Sequence, residues 1–192
     1  MSEKGILFSG EMVRAILDGR KTQTRRIIKC QPPAGEAPFY IANPPRTFAA
    51  KYLAVRSPFF VGDRMYVRET WGFDEAGDTQ YRATYFPAGN GSPSDGSDVK
   101  RWHPSIHMPK EAARIWLNVT HVRVERLQDI SEDDAAAEGV STAGLYPVSA
   151  EFGSDIHRHA FSRLWDSCYG SGAWKKNPWV WVIMFKKIEE EK

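Results

Sequence analysis

Cysteine is scarce: Cys30 and Cys168 are the two in a chain of 192 residues, too few for a disulfide framework and without metal-type spacing. A reducing, cytoplasmic setting and a site without metal are therefore expected. Long apolar runs are missing too. None approaches the ~20 residues of a membrane span, and no apolar signal core follows the first charges, so no membrane association is expected. Net charge is also small, at +2, which excludes a globally basic surface; nucleic-acid binding has to come from cations that are clustered. No repeat period is visible. With 42% hydrophobic and 26% charged residues, the chain is long enough for one domain over 1–192, with surface excursions near 31–60 and 87–100. Six prolines between 31 and 58 disfavour regular structure in the first excursion, and a run of Gly, Ser and Asp marks the second as a hairpin tip.

What is present concentrates in residues 8–29, FSGEMVRAILDGRKTQTRRIIK. Ser9 is placed to cap a helix, with Phe8 and Val13 as a hydrophobic staple. Met12, Val13, Ile16 and Leu17 share one helical face, and Gly19 suits a left-handed stop. Four cations follow in seven residues, Arg20, Lys21, Arg25 and Arg26, before Ile27 and Ile28 lead into a strand.

Further along, Met65, Val67 and Glu69 alternate on one face of a strand, so if the first two are core, Glu69 is too. A strand is expected over 81–85. Between 114 and 127 the apolar phase slips by one near Thr120 and His121, the mark of a bulge or bend by which small barrels turn corners. Ser131 opens a short helix with Asp134 as a capping-box variant and Gly139 as its stop. A longer helix carries Ile156, Ala160, Leu164 and Cys168 on one stripe, and residues 179–185 read as a strand covered on both faces.

The run from Gly19 to Arg26, G-R-K-T-x-T-x-R after a short amphipathic helix, resembles the signature of ASCH domains, small barrels related to the RNA-binding PUA domains. GDRMYVRETW, WHPSIHMPK, DISEDDAAAEGV, LWDSCYG and NPWVWVIMF resemble the longer, phage- and prophage-type branch of that family. The resemblance implies an α+β fold, a PUA-like small mixed β-barrel with flanking helices. Lys21 and Thr24 are similar to two members of the catalytic trio proposed for ASCH enzymes that deacetylate 4-acetylcytidine, and Glu138 falls where the third is expected.

The chemistry of those residue types agrees with such a role. A threonine hydroxyl becomes nucleophilic when a neighbouring base takes its proton, and a lysine crowded by Arg20, Arg25 and Arg26 has its pKa pushed down toward that use. Glu138, in the last turn of its helix, sits where the dipole disfavours an anion by ~0.3–1 kcal/mol. Arg20, Arg25 and Arg26 are candidate phosphate contacts. Glu69 is a candidate acceptor for a base amino group or a partner of Arg68 or Arg26, and Trp71 and Trp102 are candidate stacking surfaces. His107 belongs to a motif similar to family pocket segments, while Pro104 argues against a His103–His107 metal pair. His157 and His159 are expected at the solvated surface, and Trp165, Trp179 and Trp181 in the core.

Three functions remain open: an amidohydrolase on a modified cytidine or related base, an RNA-binding module without turnover, and a metal-independent ribonuclease on single-stranded RNA. None implies a cofactor or an obligate protein partner. RNA or a modified nucleoside is the expected ligand.

Overall fold

A computed structural model describes residues 2–29, 31–32, 57–74, 77–82, 99–142 and 155–189. The excursions expected near 31–60 and 87–100 lie largely outside them, as do Cys30 and most of the 81–85 strand. The chain divides into two compact units, residues 1–19, 63–118 and 187–192 in the first, 20–62 and 119–186 in the second.

In the first unit, β1 (Glu3–Leu7) pairs in parallel with β3 (Arg64–Arg68), which pairs antiparallel with the start of β7 (Trp116–Arg126). Met65 and Val67 are fully buried. The alternation carries Glu69 inward with them, as the sequence pattern requires. A second sheet has β4 (Trp71–Asp74) between β5 (Thr79–Tyr81) and β6 (Val99–His103). Helix α1 (Gly10–Leu17) buries Met12, Val13, Ala15 and Ile16; Ser9 Oγ accepts from the Met12 amide, and Gly19 leaves the helix at φ 74°.

In the second unit, β2 (Gln23–Ile27) pairs antiparallel with β8 (Trp179–Lys187). Helices α2 (Glu132–Ala137) and α3 (Ile156–Tyr169) share a core of Leu127, Ala135, Phe161, Trp165, Val180 and Val182. The buried stripe of α3 is Ala160, Phe161 and Trp165, turned from the expected one so that Cys168 is exposed. Trp165 and Trp181 are core, whereas Trp179 is half-buried with the Arg126 guanidinium over its ring.

The α+β class is as expected, but closure is not. Hydrogen bonding runs β1-β3-β7-β8-β2 and ends on two different edge strands, so among the described residues the five-stranded sheet is open. The phase slip in β7 is real: inward positions pass from Leu117 and Val119 to Val122, while His121 is exposed. That slip bends burial along one strand without returning the sheet to its first edge. No helix among the described residues is long and apolar enough to cross a membrane.

One tie between α2 and α3 was invisible to periodicity. Asp155, the N-cap of α3, makes no side-chain cap. Glu132 supplies it from α2, its Oε1 accepting from the His157 amide at 2.7 Å and its Oε2 from the Arg158 amide at 2.9 Å, with His157 Nδ1 2.7 Å from Oε1. His157 is thus half-buried and engaged, not a solvated surface residue. Burial would raise the Glu132 carboxyl, but these amides and the His157 ring outweigh it and hold its pKa below the usual glutamate range. A carboxyl with a lowered folded pKa stabilises above its unfolded value, and that contribution is lost as pH falls through the lowered one. Glu132→Ala is expected to cost ~0.5–2 kcal/mol in urea unfolding at neutral pH, with the gap to wild type closing in acid. A pH-independent gap would assign the loss to packing.

Candidate active site

Lys21 is held in place before its side chain is considered. It forms an isolated antiparallel bridge with Glu138, while the Thr22 amide donates to Ala137 O at 2.9 Å and Thr22 O accepts from the Phe185 amide at 2.8 Å. The cationic loop is therefore stitched between the end of α2 and β8. Glu138 is the C-cap of α2, and Gly139 follows at φ 76°. A helix C-terminus repels an anion, and the repulsion is answered by two cations. Lys21 Nζ lies 2.8 Å from Glu138 Oε2, and Arg25 Nη1 donates to Oε1 at 3.0 Å.

The ammonium also donates to Gln23 O at 2.8 Å and to Glu138 O at 2.9 Å, so its three protons have three acceptors. Lys21, Thr24, Arg25 and Glu138 are 4%, 2%, 2% and 3% exposed. Burial lowers the Lys21 pKa, with Glu138 opposing and Arg26 and Arg25 adding a smaller push in the same direction. The direction matches the sequence argument; the leading cause is desolvation and not crowding by arginines.

Arg25 departs from its expected role. Its guanidinium turns inward over the Phe161 ring and spends its donors on Glu138, Asp134 (3.0 Å from Nη2) and Glu125 (3.0 Å from Nε, with a further short contact from Nη2). A group so enclosed has no face left for phosphate. Arg123 completes the cluster, contacting Glu125 Oε2 at 3.0 Å and Asp134. Three cations, Lys21, Arg25 and Arg123, thus meet three carboxylates, Glu125, Asp134 and Glu138. Asp134 forms half of the expected capping box: its amide donates to Ser131 Oγ at 3.1 Å, but its carboxylate serves the arginines. Sequence reasoning missed Arg123 and Glu125; opposite charges two apart on one strand face were their signal.

Thr24 lies in β2 opposite Ile183, three residues beyond Lys21, and among the described residues no hydrogen bond joins its hydroxyl to Lys21 or Glu138. Arg20 is exposed and donates to Gly139 O at 3.3 Å; Arg26 is half-buried.

The other candidates belong to the first unit. Glu69, 2% exposed, is gripped by a two-pronged Arg114, Nε to Oε2 at 3.0 Å and Nη2 to Oε1 at 2.8 Å, instead of by Arg68 or Arg26. Trp71 is half-buried and stacks on His103 with centroids 5.0 Å apart. Trp102 is half-buried beneath Arg82, and His107 is exposed in a 3₁₀ turn over Ser105–His107. Among the described residues no group of three or more His, Cys, Asp or Glu is arranged to hold a metal ion.

No family model matches the sequence, and no curated protein matches it. Among solved structures the chain is similar to the ASCH domain from Lactobacillus crispatus JV V101, at 16% identity and a TM-score of 0.41, over 97% of this chain and 79% of that one. A superposition that loose assigns no residue a role, which leaves the chemistry to this chain's own side chains.

Proposed function

We propose that the chain is an amidohydrolase that removes an acyl group, acetyl first of all, from the exocyclic amine of a modified cytidine or related base. The observation that carries this is the 2.8 Å contact between Lys21 Nζ and Glu138 Oε2, formed between residues 117 apart, beside the strand that bears Thr24. Moving one proton across that contact turns an ammonium and a carboxylate into an amine and a carboxylic acid without changing the net charge. Burial lowers the cost of that transfer out of the resting ion pair, and the downward push of burial on the Lys21 pKa acts in the same sense.

Both partners then hold the protonation states that amide cleavage needs. The Lys21 amine takes the Thr24 proton as Oγ1 bonds to the acyl carbon. Glu138 gives its proton to the departing nitrogen as the C–N bond breaks, leaving acyl-Thr24, an ammonium and a carboxylate. Water cleaves the ester through the same two groups, releasing acetate and restoring the hydroxyl. Arg25 is a positioning residue, holding Oε1 so that Oε2 faces Lys21.

The competing reading is an RNA-binding module in which the pair is a buried ionic tie without turnover, and the near-complete enclosure of Lys21, Thr24 and Glu138 favours it. Nothing comparable favours the ribonuclease reading, since Arg25 no longer offers a phosphate contact. Incubation with 4-acetylcytidine and with labelled single-stranded RNA separates all three. Acetate release with intact RNA is expected; shortened RNA points to the ribonuclease, and a shifted but intact RNA without acetate points to binding alone.

A further inference from the structure

The first unit contains a cavity of about 450 Å³, within the ~300–1,000 Å³ typical of small-molecule sites, and the amidohydrolase chemistry does not use it. Its lining is mixed in a directed way. Ser9 and Gly10 bring the start of α1, where Ser9 takes the Met12 and Val13 amides and the Gly10 and Glu11 amides precede the first helical bond, and Arg14 and Arg82 bring two guanidiniums. Thr70 and Ser105 add hydroxyls, and Phe8 and Val13 an apolar wall. The one carboxylate, Glu69, is buried and immobilised by Arg114, which takes one position on each oxygen. An ionised carboxylate accepts about four hydrogen bonds, so each oxygen keeps a free acceptor site. Arg82 is anchored next to it: its amide donates to Thr70 O at 2.9 Å, extending the β4–β5 ladder past Trp71 and Tyr81.

From this juxtaposition of cations, helix start and buried acceptor we propose that the cavity binds a nucleotide whose base carries an exocyclic amino group, its phosphate toward Arg82 and Arg14 and its amino group on Glu69. The cations and helix amides satisfy a phosphate, which a neutral nucleoside does not offer them. Glu69 accepts from an amino group and repels a carbonyl in the same place, so cytosine is admitted and uracil is not.

Titration of the full chain by calorimetry at low salt, with 5′-CMP, 5′-UMP and cytidine, tests the assignment. CMP should bind at least ~10-fold more tightly than UMP, because an unmatched buried acceptor loses a hydrogen bond and meets a like partial charge. Arg82→Glu, at an exposed position that leaves the fold intact, should weaken CMP at least ~10-fold and leave cytidine unchanged. A 5′-phosphorylated oligocytidine distinguishes the source of the ligand: affinity equal to or above that of CMP marks the end of a strand, and much weaker affinity marks a free nucleotide. No CMP binding into the millimolar range, equal affinity for CMP and UMP, or an unaffected Arg82→Glu would each overturn the assignment.

Discussion

Glu138→Ala is expected to lower the unfolding free energy by about 3–5 kcal/mol at neutral pH. The reason is the balance of the cluster. Glu138 answers both Lys21 and Arg25 from a buried position, and its removal takes from Lys21 the carboxylate it contacts and leaves Arg25 with Glu125 and Asp134. Intact, such a cluster adds little, because the cost of desolvating six charges offsets their attraction; broken, it exposes that cost. Lys21→Met/Glu138→Leu, which removes one charge of each sign, should recover a large part of the loss. Urea denaturation of the single and double variants measures this. A single-variant loss under ~1 kcal/mol would mean that water reaches these groups and screens them.

The second large effect is on turnover. Thr24→Ala should reduce acetate release by at least ~10³-fold with a smaller loss of stability than Glu138→Ala, since the hydroxyl takes no part in the ion-pair cluster and the change removes only a small buried side chain. Lys21→Met should cost as much. The double variant should be no slower than either single one, because a nucleophile and its base act as a unit. Additive losses would place Thr24 and Lys21 in separate roles, Thr24 holding the substrate and Lys21 the fold.

Much of the second unit was legible because its signals are local. Ser131 and Gly139 bound α2, and the apolar run of β8 shows a strand buried on both faces. The identity of Lys21 and Glu138 as a pair came from motif resemblance, and their contact confirms no more than proximity. What stayed hidden is what depends on partners far apart in sequence. Arg25 looked like one more cation of a basic loop, because nothing near residue 25 says that Glu125, Asp134 and Glu138 converge on it. Glu132 lies in the first turn of its own helix, where an acid is favourable, yet its oxygens cap the next one. Barrel closure failed for the same reason: the slip at His121 reports a local bend, while closure is a property of the edge strands β1 and β2.

If Lys21 and Glu138 exchange a proton in the service of Thr24, Glu138→Gln removes the donor and spares the rest of the site. Glutamine keeps the shape and an acceptor for Lys21 but has no proton to give at neutral pH. Acetate release from 4-acetylcytidine, measured for wild type and Glu138→Gln side by side with thermal unfolding to verify that both are folded, should fall by ~10²–10⁴-fold in the variant. Turnover within about twofold of wild type in a folded Glu138→Gln protein, outside any general-acid effect of that size, would contradict the proton-donor role and leave the buried pair as a structural tie.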